Sequence, residues 1–284
     1  MKKSLFQNIF TNLGLSLIKL AAGIIGCNSA MISDAAHSFS DVLSTVIVLI
    51  GLKISAKKAD KDHPYGHERF ECVAAVILSM ILILTAVLIG KAALDSITSG
   101  AYMENQTASY LPIAAALLSI IVKEIMFQRT MVLYKKTNLV SIKADAWHHR
   151  SDALSSVGAL IGTILTKCGI LIADPIASLI ITLFIVKVAI DIFIDATNKL
   201  TDKACDEETE TAIWHTAEAT DGVGRIDKMK TRQFGNRIYM DIEIAVDGDI
   251  TLNRAHEIAQ AVHDNIEREY QEVKHCMVHV NPIL

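Results

Sequence analysis

The sequence predicts an α-helical membrane protein: a bundle of six transmembrane helices over residues 1–199, then a small cytoplasmic α+β domain over residues 200–284. Three observations lead there. Of 284 residues, 51% are hydrophobic and only 20% charged, and the mean hydropathy of +0.37 is high for a soluble chain of this length. Six segments are each long enough to cross a bilayer, which takes ~20 mainly apolar residues. From about residue 200 the composition turns polar and acidic, which marks a separate soluble unit.

The spans are expected at 6–27, 30–55, 71–97, 109–134, 141–166 and 170–196. Several carry polar residues, as helices do when they bury a polar face against one another. Loop charge sets their direction. Lys2 and Lys3 precede the first span; Lys53, Lys57, Lys58, Lys61 and Arg69 surround the connection from the second to the third. Arg129, Lys135, Lys136 and Lys143 surround that from the fourth to the fifth, whereas the other three connections hold only Lys167. The positive-inside rule then places both termini in the cytoplasm. No small-residue cleavage pattern follows the first apolar stretch, so it reads as a retained helix of a plasma-membrane protein. A net charge of −4 argues against nucleic acid as a partner. Five scattered cysteines without a CxxC pair argue against a disulfide framework or a thiolate metal site.

Inside this apolar frame one pattern occurs twice. Asp34-x2-His37-x3-Asp41 opens the second span, and Asp145-x2-His148-x3-Asp152 lies in the fifth. Positions i, i+3 and i+7 fall within roughly 60° on a helix, so each copy presents carboxylate, imidazole and carboxylate along one stripe. Two such helices face to face would offer His37, Asp41, His148 and Asp152 to one point, a tetrahedral nitrogen and oxygen set suited to a divalent transition metal, zinc first. A lone His or Asp on an apolar face is ordinarily a satisfied core residue. Four ionisable residues in membrane spans are a different matter, because burying charge in hydrocarbon costs a few kcal/mol or more. The second span runs outward to inward and the fifth the reverse. Asp34 and Asp145 therefore flank the site on opposite sides, either passing a cation or bonding neighbouring helices.

The loop after the second span reads Asp60-Lys-Asp62-His63-Pro-Tyr-Gly-His67-Glu68. Histidines at i and i+4 with Asp60 upstream can clamp a second metal, and Pro64 and Gly66 set a turn between them. The alternative is a solvated loop that binds nothing. Lys123 and Glu124 in the fourth span are assigned to ion pairing within the bundle, and Asp174 to the start of the sixth helix.

The soluble part is expected to run helix 206–220, strands 225–232 and 237–246 joined at Phe234-Gly235-Asn236, helix 251–270 and strand 273–281. In the second strand Ile238, Met240, Ile242 and Ile244 alternate against Tyr239, Asp241 and Glu243, the latter three facing outward. This αββαβ order makes a small α+β domain with helices on one sheet face.

Six spans, the two HxxxD motifs (His37 and Asp41; His148 and Asp152), the His-Pro-Tyr-Gly-His-Glu-Arg loop and the closing domain together resemble the cation diffusion facilitators, which are metal/proton antiporters. The resemblance covers nearly the whole chain. It implies a homodimer with alternating access to the intramembrane site, driven by inward proton flow, and a metallochaperone-like C-terminal domain. It also matches Asp60, His63 and His67 to the family's loop site. In the C-terminal domain the corresponding positions hold Asp227, Glu243 and His279, with His275 nearby and Asn281 where a ligand is often Asp. That oxygen-rich set implies weak regulatory metal binding or pure dimerisation.

The function expected is Zn²⁺/H⁺ antiport, with manganese, iron, cobalt or cadmium as other substrates of the same machine. The metal is cargo, and no resident cofactor is expected. A membrane metalloenzyme would need a general base apart from the metal ligands, which the sequence does not offer. A membrane-anchored metal sensor is the other rival, to which the weak C-terminal ligand set is poorly suited.

Overall fold

The computed structural model describes residues 2–25, 29–100, 110–167, 170 and 172–283. It divides into residues 1–196 and 197–284. The first unit is built from six long helices: α1 (Lys2–Ile25), α2 (Ser29–Ser55), α3 (Phe70–Ser99), α4 (Tyr110–Thr137), α5 (Val140–Lys167) and α6 (Ala173–Leu200). Their number is that of the expected spans, and their ends agree within a few residues. Among the described residues, length and composition alone qualify Phe70–Ser99 and Pro175–Leu200 as membrane spans. The bundle also turns polar side chains inward. Asn8, Asn12, Lys19, Asp41, Thr45, Lys123, Asp145 and His149 are all buried.

The bundle is apolar on its outer face as well as in its core. Along α3, the buried side carries Ala74, Ala75, Leu78, Ser79, Ala86 and Ala93, while Ile77, Met80, Leu84 and Leu88 are exposed. Small residues let helices approach closely where hydrophobic driving force is absent, and large apolar ones meet lipid. One close approach is at Gly51 of α2, where an added Cβ would lie 2.6 Å from Cβ of Ala74 in α3. Leu5, Val48, Leu52, Leu78, Leu82, Ile142 and Ile192 pack into one core.

Two local devices aim α5. Asn138, at φ 52°, breaks the chain after α4 so that α5 folds straight back against it. Glu71, buried at the start of α3, accepts a hydrogen bond from the backbone N–H of Ser141 at 3.1 Å. A carboxylate at a helix N-terminus satisfies an otherwise unpaired N–H and matches the helix dipole.

In the second unit, α7 (Glu207–Glu218) precedes β1 (Arg225–Phe234) and β2 (Arg237–Asp247), and α8 (Leu252–Glu269) leads into β3 (Val273–Ile283). The observed order is the expected αββαβ. The sheet order is β1-β2-β3, antiparallel between β1 and β2 and parallel between β2 and β3. Parallel pairing follows from the α8 crossover, since a helix between two strands returns the chain in the same direction. Gly235, at φ 64°, opens the two-residue turn that pairs Phe234 with Arg237. Asp206 caps α7 through the N–H of Thr209 at 2.9 Å, and Thr251 caps α8 through that of Arg254 at 3.3 Å. Ile213, Met240, Ile242, Ile244, Ile258, Val262 and Ile266 form the core between helices and sheet. One sequence expectation needs correction. Tyr239, assigned outward, is only 5% exposed, because the Phe234 ring packs against it, tilted, at 5.1 Å and Arg232 and Lys274 cover its ring.

Candidate metal centre

Asp41 of α2 and His148 and Asp152 of α5 come together inside the bundle, with one ligand atom of each within 4.8 Å of the others. Helix geometry does the aiming: His148 and Asp152 are one turn apart on α5 and so share a face. His148 Nε2 lies 3.2 Å from Asp41 Oδ1 and 3.3 Å from the Ser44 hydroxyl, one turn further along α2. Asp41 is 1% exposed and His148 4%, so water screens the cluster poorly. The backbones of Asp34 and His37 belong to α2, but their side chains, like that of Asp174, lie outside the described residues.

The sequence missed a fifth member. Lys123 does pair within the bundle, though not with its neighbour Glu124. Its ammonium donates to Asp41 Oδ2 and, at 2.9 Å, to Asp152 Oδ2. Glu124 turns away, to Gln128 at 2.8 Å and Arg150 at 4.0 Å. Successive helical residues diverge by about 100°, so adjacent opposite charges seldom meet.

Asp145 is fully buried beside this cluster. It accepts a hydrogen bond from Thr45 at 3.1 Å and faces His149 Nε2 at 3.6 Å. Asn8 of α1 reaches both Thr130 of α4, at 2.8 Å, and His149, at 3.5 Å. Four helices thus meet in one polar network. Asp145 Oδ2 and His149 Nδ1 remain buried in it without hydrogen bonds.

In the loop, Asp60, His63 and His67 form a second group with ligand atoms within 4.8 Å. Asp60 accepts the backbone N–H groups of His63 at 2.8 Å and Asp62 at 3.1 Å. Gly66, at φ 102°, completes the turn that brings the imidazole centroids to 4.4 Å. His67 is 5% exposed, and its Nδ1 is buried without a hydrogen-bond partner, as suits a ring with a nitrogen left for a ligand. The N–H of His63 holds the Asp60 carboxyl below its ordinary range. A lowered folded value stabilises the turn above the ordinary carboxylate pKa and is lost only as pH falls through the lowered value. The Asp60 carboxyl carbon should therefore titrate in NMR below the usual ~3.9; a midpoint at or above that value would show that the turn does not hold it.

In the C-terminal unit Asp227 and Glu243 each have a basic partner of their own. Asp227, at a bulge in β1, accepts from Arg225 at 2.7 Å and from Asn281 at 2.9 Å. The Arg225 hydrogen bond keeps its carboxyl low. Glu243 faces Lys228 at 3.7 Å and pairs in register with His279. A different trio, His263, Glu267 and His275, also brings ligand atoms within 4.8 Å. Its His–Glu pair at i and i+4 was legible on the helix, but the third member needed the register of β3. Here Cys276 O binds His263 Nδ1 at 2.7 Å and Cys276 N donates to Glu267 at 3.2 Å, clamping α8 to β3.

Carboxylates and an imidazole facing one another between apolar helices define a class, the membrane proteins that move ions through buried polar sites. Comparison with known sequences narrows it. Residues 5–201 match the cation efflux transmembrane domain and residues 205–283 the cation efflux protein cytoplasmic domain. The chain belongs to the cation diffusion facilitator family and is a membrane protein of divalent metal cation efflux. The uncharacterized transporter MJ0449 of Methanocaldococcus jannaschii is 38% identical over 99% of this chain and 98% of its own. The manganese efflux system protein MneP of Bacillus subtilis is 31% identical, covering 96% and 93%. Magnetosome protein MamB of Magnetospira sp. is 30% identical, covering 96% and 92%. Among solved structures, a MamM CTD is 27% identical over 28% of this chain and 98% of its own, with a TM-score of 0.27.

Proposed function

We propose that the chain is a Zn²⁺/H⁺ antiporter, a homodimer in the plasma membrane with both termini cytoplasmic, exporting metal by alternating access. The observation that carries this reading is the meeting of Asp41 with His148 and Asp152 from another helix. His37 lies one turn before Asp41 on α2 and completes the set by helical spacing. Such a site holds metal only with neutral imidazole and ionised carboxylates, so protons and metal exclude each other. A proton gradient can then reload the carrier after each release. The loop site at Asp60, His63 and His67 would collect metal at the membrane surface. Asp227, Glu243 and His279 would give the C-terminal domain weak regulatory binding alongside its dimer contacts. Transport needs no chemical step, and the reading includes no enzymatic activity.

A second reading is manganese as cargo. MneP, at 31% identity, and MneS, at 30%, are both named manganese efflux system proteins, and Asp41 with Asp152 supplies the oxygen ligands that manganese prefers. Proteoliposomes under a set proton gradient decide between them. Gradient-dependent uptake of Zn²⁺ over Mn²⁺ is the expected result. Manganese flux without zinc flux would transfer the reading to manganese, and no metal flux from correctly folded protein would overturn it.

A further inference from the structure

We propose that Lys123 is a tethered counter-cation of the transport site: its ammonium stands between Asp41 and Asp152 in the ion-free carrier, and a divalent ion loads by displacing it. The inference rests on the reading of Asp41, His148 and Asp152 as metal ligands and adds a residue from a third helix, α4.

The placement is specific. Lys123 is 1% exposed and among the largest fully buried side chains described. It reaches one carboxylate on α2 and another on α5. A buried ammonium is tolerated only when paired, and two neighbouring buried carboxylates need a cation or a shared proton between them. Lys123 meets both requirements without an ion. With a neutral imidazole, two carboxylates and one ammonium leave a net charge of −1 at the cluster. Without the ammonium it would be −2, in a medium where unlike charges attract several times more strongly than in water.

Three consequences follow. Ion binding is weaker than the ligand set alone would make it, because the ammonium must first leave both carboxylates. Release is eased, because the tethered ammonium returns as the ion departs. Monovalent ions are excluded, since a single charge gains no more from the carboxylates than the covalently attached one does. None of this requires Lys123 to change protonation.

A helix tie and a competitor predict opposite signs. If Lys123 only ties α2, α4 and α5 together, its removal loosens the ligands and weakens metal binding. If it competes with the ion, its removal tightens binding. The experiment titrates Zn²⁺ and Mn²⁺ into the full chain in nanodiscs, for the parent, Lys123→Gln, Lys123→Met and Lys123→Arg, and follows transport in proteoliposomes. The expected result is a Kd lowered on the order of tenfold in the Gln and Met variants, with KM and kcat both reduced, and no tightening in Lys123→Arg, which keeps the competing charge. Unchanged or weakened binding in a neutral variant that elutes and melts like the parent overturns the proposal. Where neither neutral variant folds, the Lys123 ε-carbon resonance of ¹³C-lysine-labelled parent is followed, with Lys123→Arg giving its assignment. Saturating Zn²⁺ should shift it, and an unshifted resonance also overturns the proposal. Asp152→Ala separates the two readings: parental metal affinity in that variant would refute the ligand site itself, whatever Lys123 does.

Discussion

Asp41→Ala, reconstituted in sealed vesicles, abolishes metal flux under a set proton gradient, a loss of ~100-fold or more. The estimate starts from metal sites in which loss of a supporting group alone costs 10–100-fold, and Asp41 is proposed as a direct ligand. Asp41 is also the α2 residue on which the described cluster converges, touching His148 at 3.2 Å and the Lys123 ammonium. Its removal leaves that ammonium with Asp152 alone, and breaking a buried ion pair from one side costs roughly 3–5 kcal/mol. A lower melting temperature should therefore accompany the lost flux. Asp41→Asn separates the two effects, since it keeps volume and hydrogen-bonding capacity but not charge. Flux should remain lost while the part of the stability that rests on packing and hydrogen bonding returns. Metal flux within about threefold of the parent in either variant would remove Asp41 from the ligand set.

What the sequence disclosed is what local geometry determines. His148 and Asp152 share a helix face at any i, i+4 spacing, so their common aim was readable, as was the possibility that Asp41 meets them. The loop trio was readable for the same reason, its turn being set by Pro64 and Gly66 within eight residues. Lys123 was not. Its neighbour Glu124 offered a ready partner in sequence, and only the packing of α4 against α2 and α5 shows that the two side chains diverge. Tyr239 was misassigned for a related reason. Alternation gives the sheet face but not whether long side chains such as Arg232 and Lys274 lie across it. The partners of Asp227 were also hidden, because Asn281 reaches it from the far edge of a three-stranded sheet.

Asp145 provides the second large effect, and two substitutions divide its roles. Asp145→Ala deletes a fully buried carboxylate that bonds Thr45 and faces His149. It strands Thr45 of α2 and leaves His149 of α5 without its carboxylate, and a stranded buried donor or acceptor costs about 1–3 kcal/mol, more when charged. Thermal unfolding of the purified protein should show a loss of ~3 kcal/mol or more, the range for breaking a buried pair. Asp145→Asn retains the side-chain oxygen for Thr45 and the volume, so most of that stability should remain. Its flux, however, should fall about tenfold, as for loss of a group that supports a metal site. The reason is geometric: Asp145 sits one turn from His148 and His149 on α5, with an oxygen buried and unbonded, where an ion or proton leaving the central site would next find a negative charge. Equal flux in Asp145→Asn and the parent would reduce Asp145 to a helix anchor. Loss of flux with the fold intact would place it on the path.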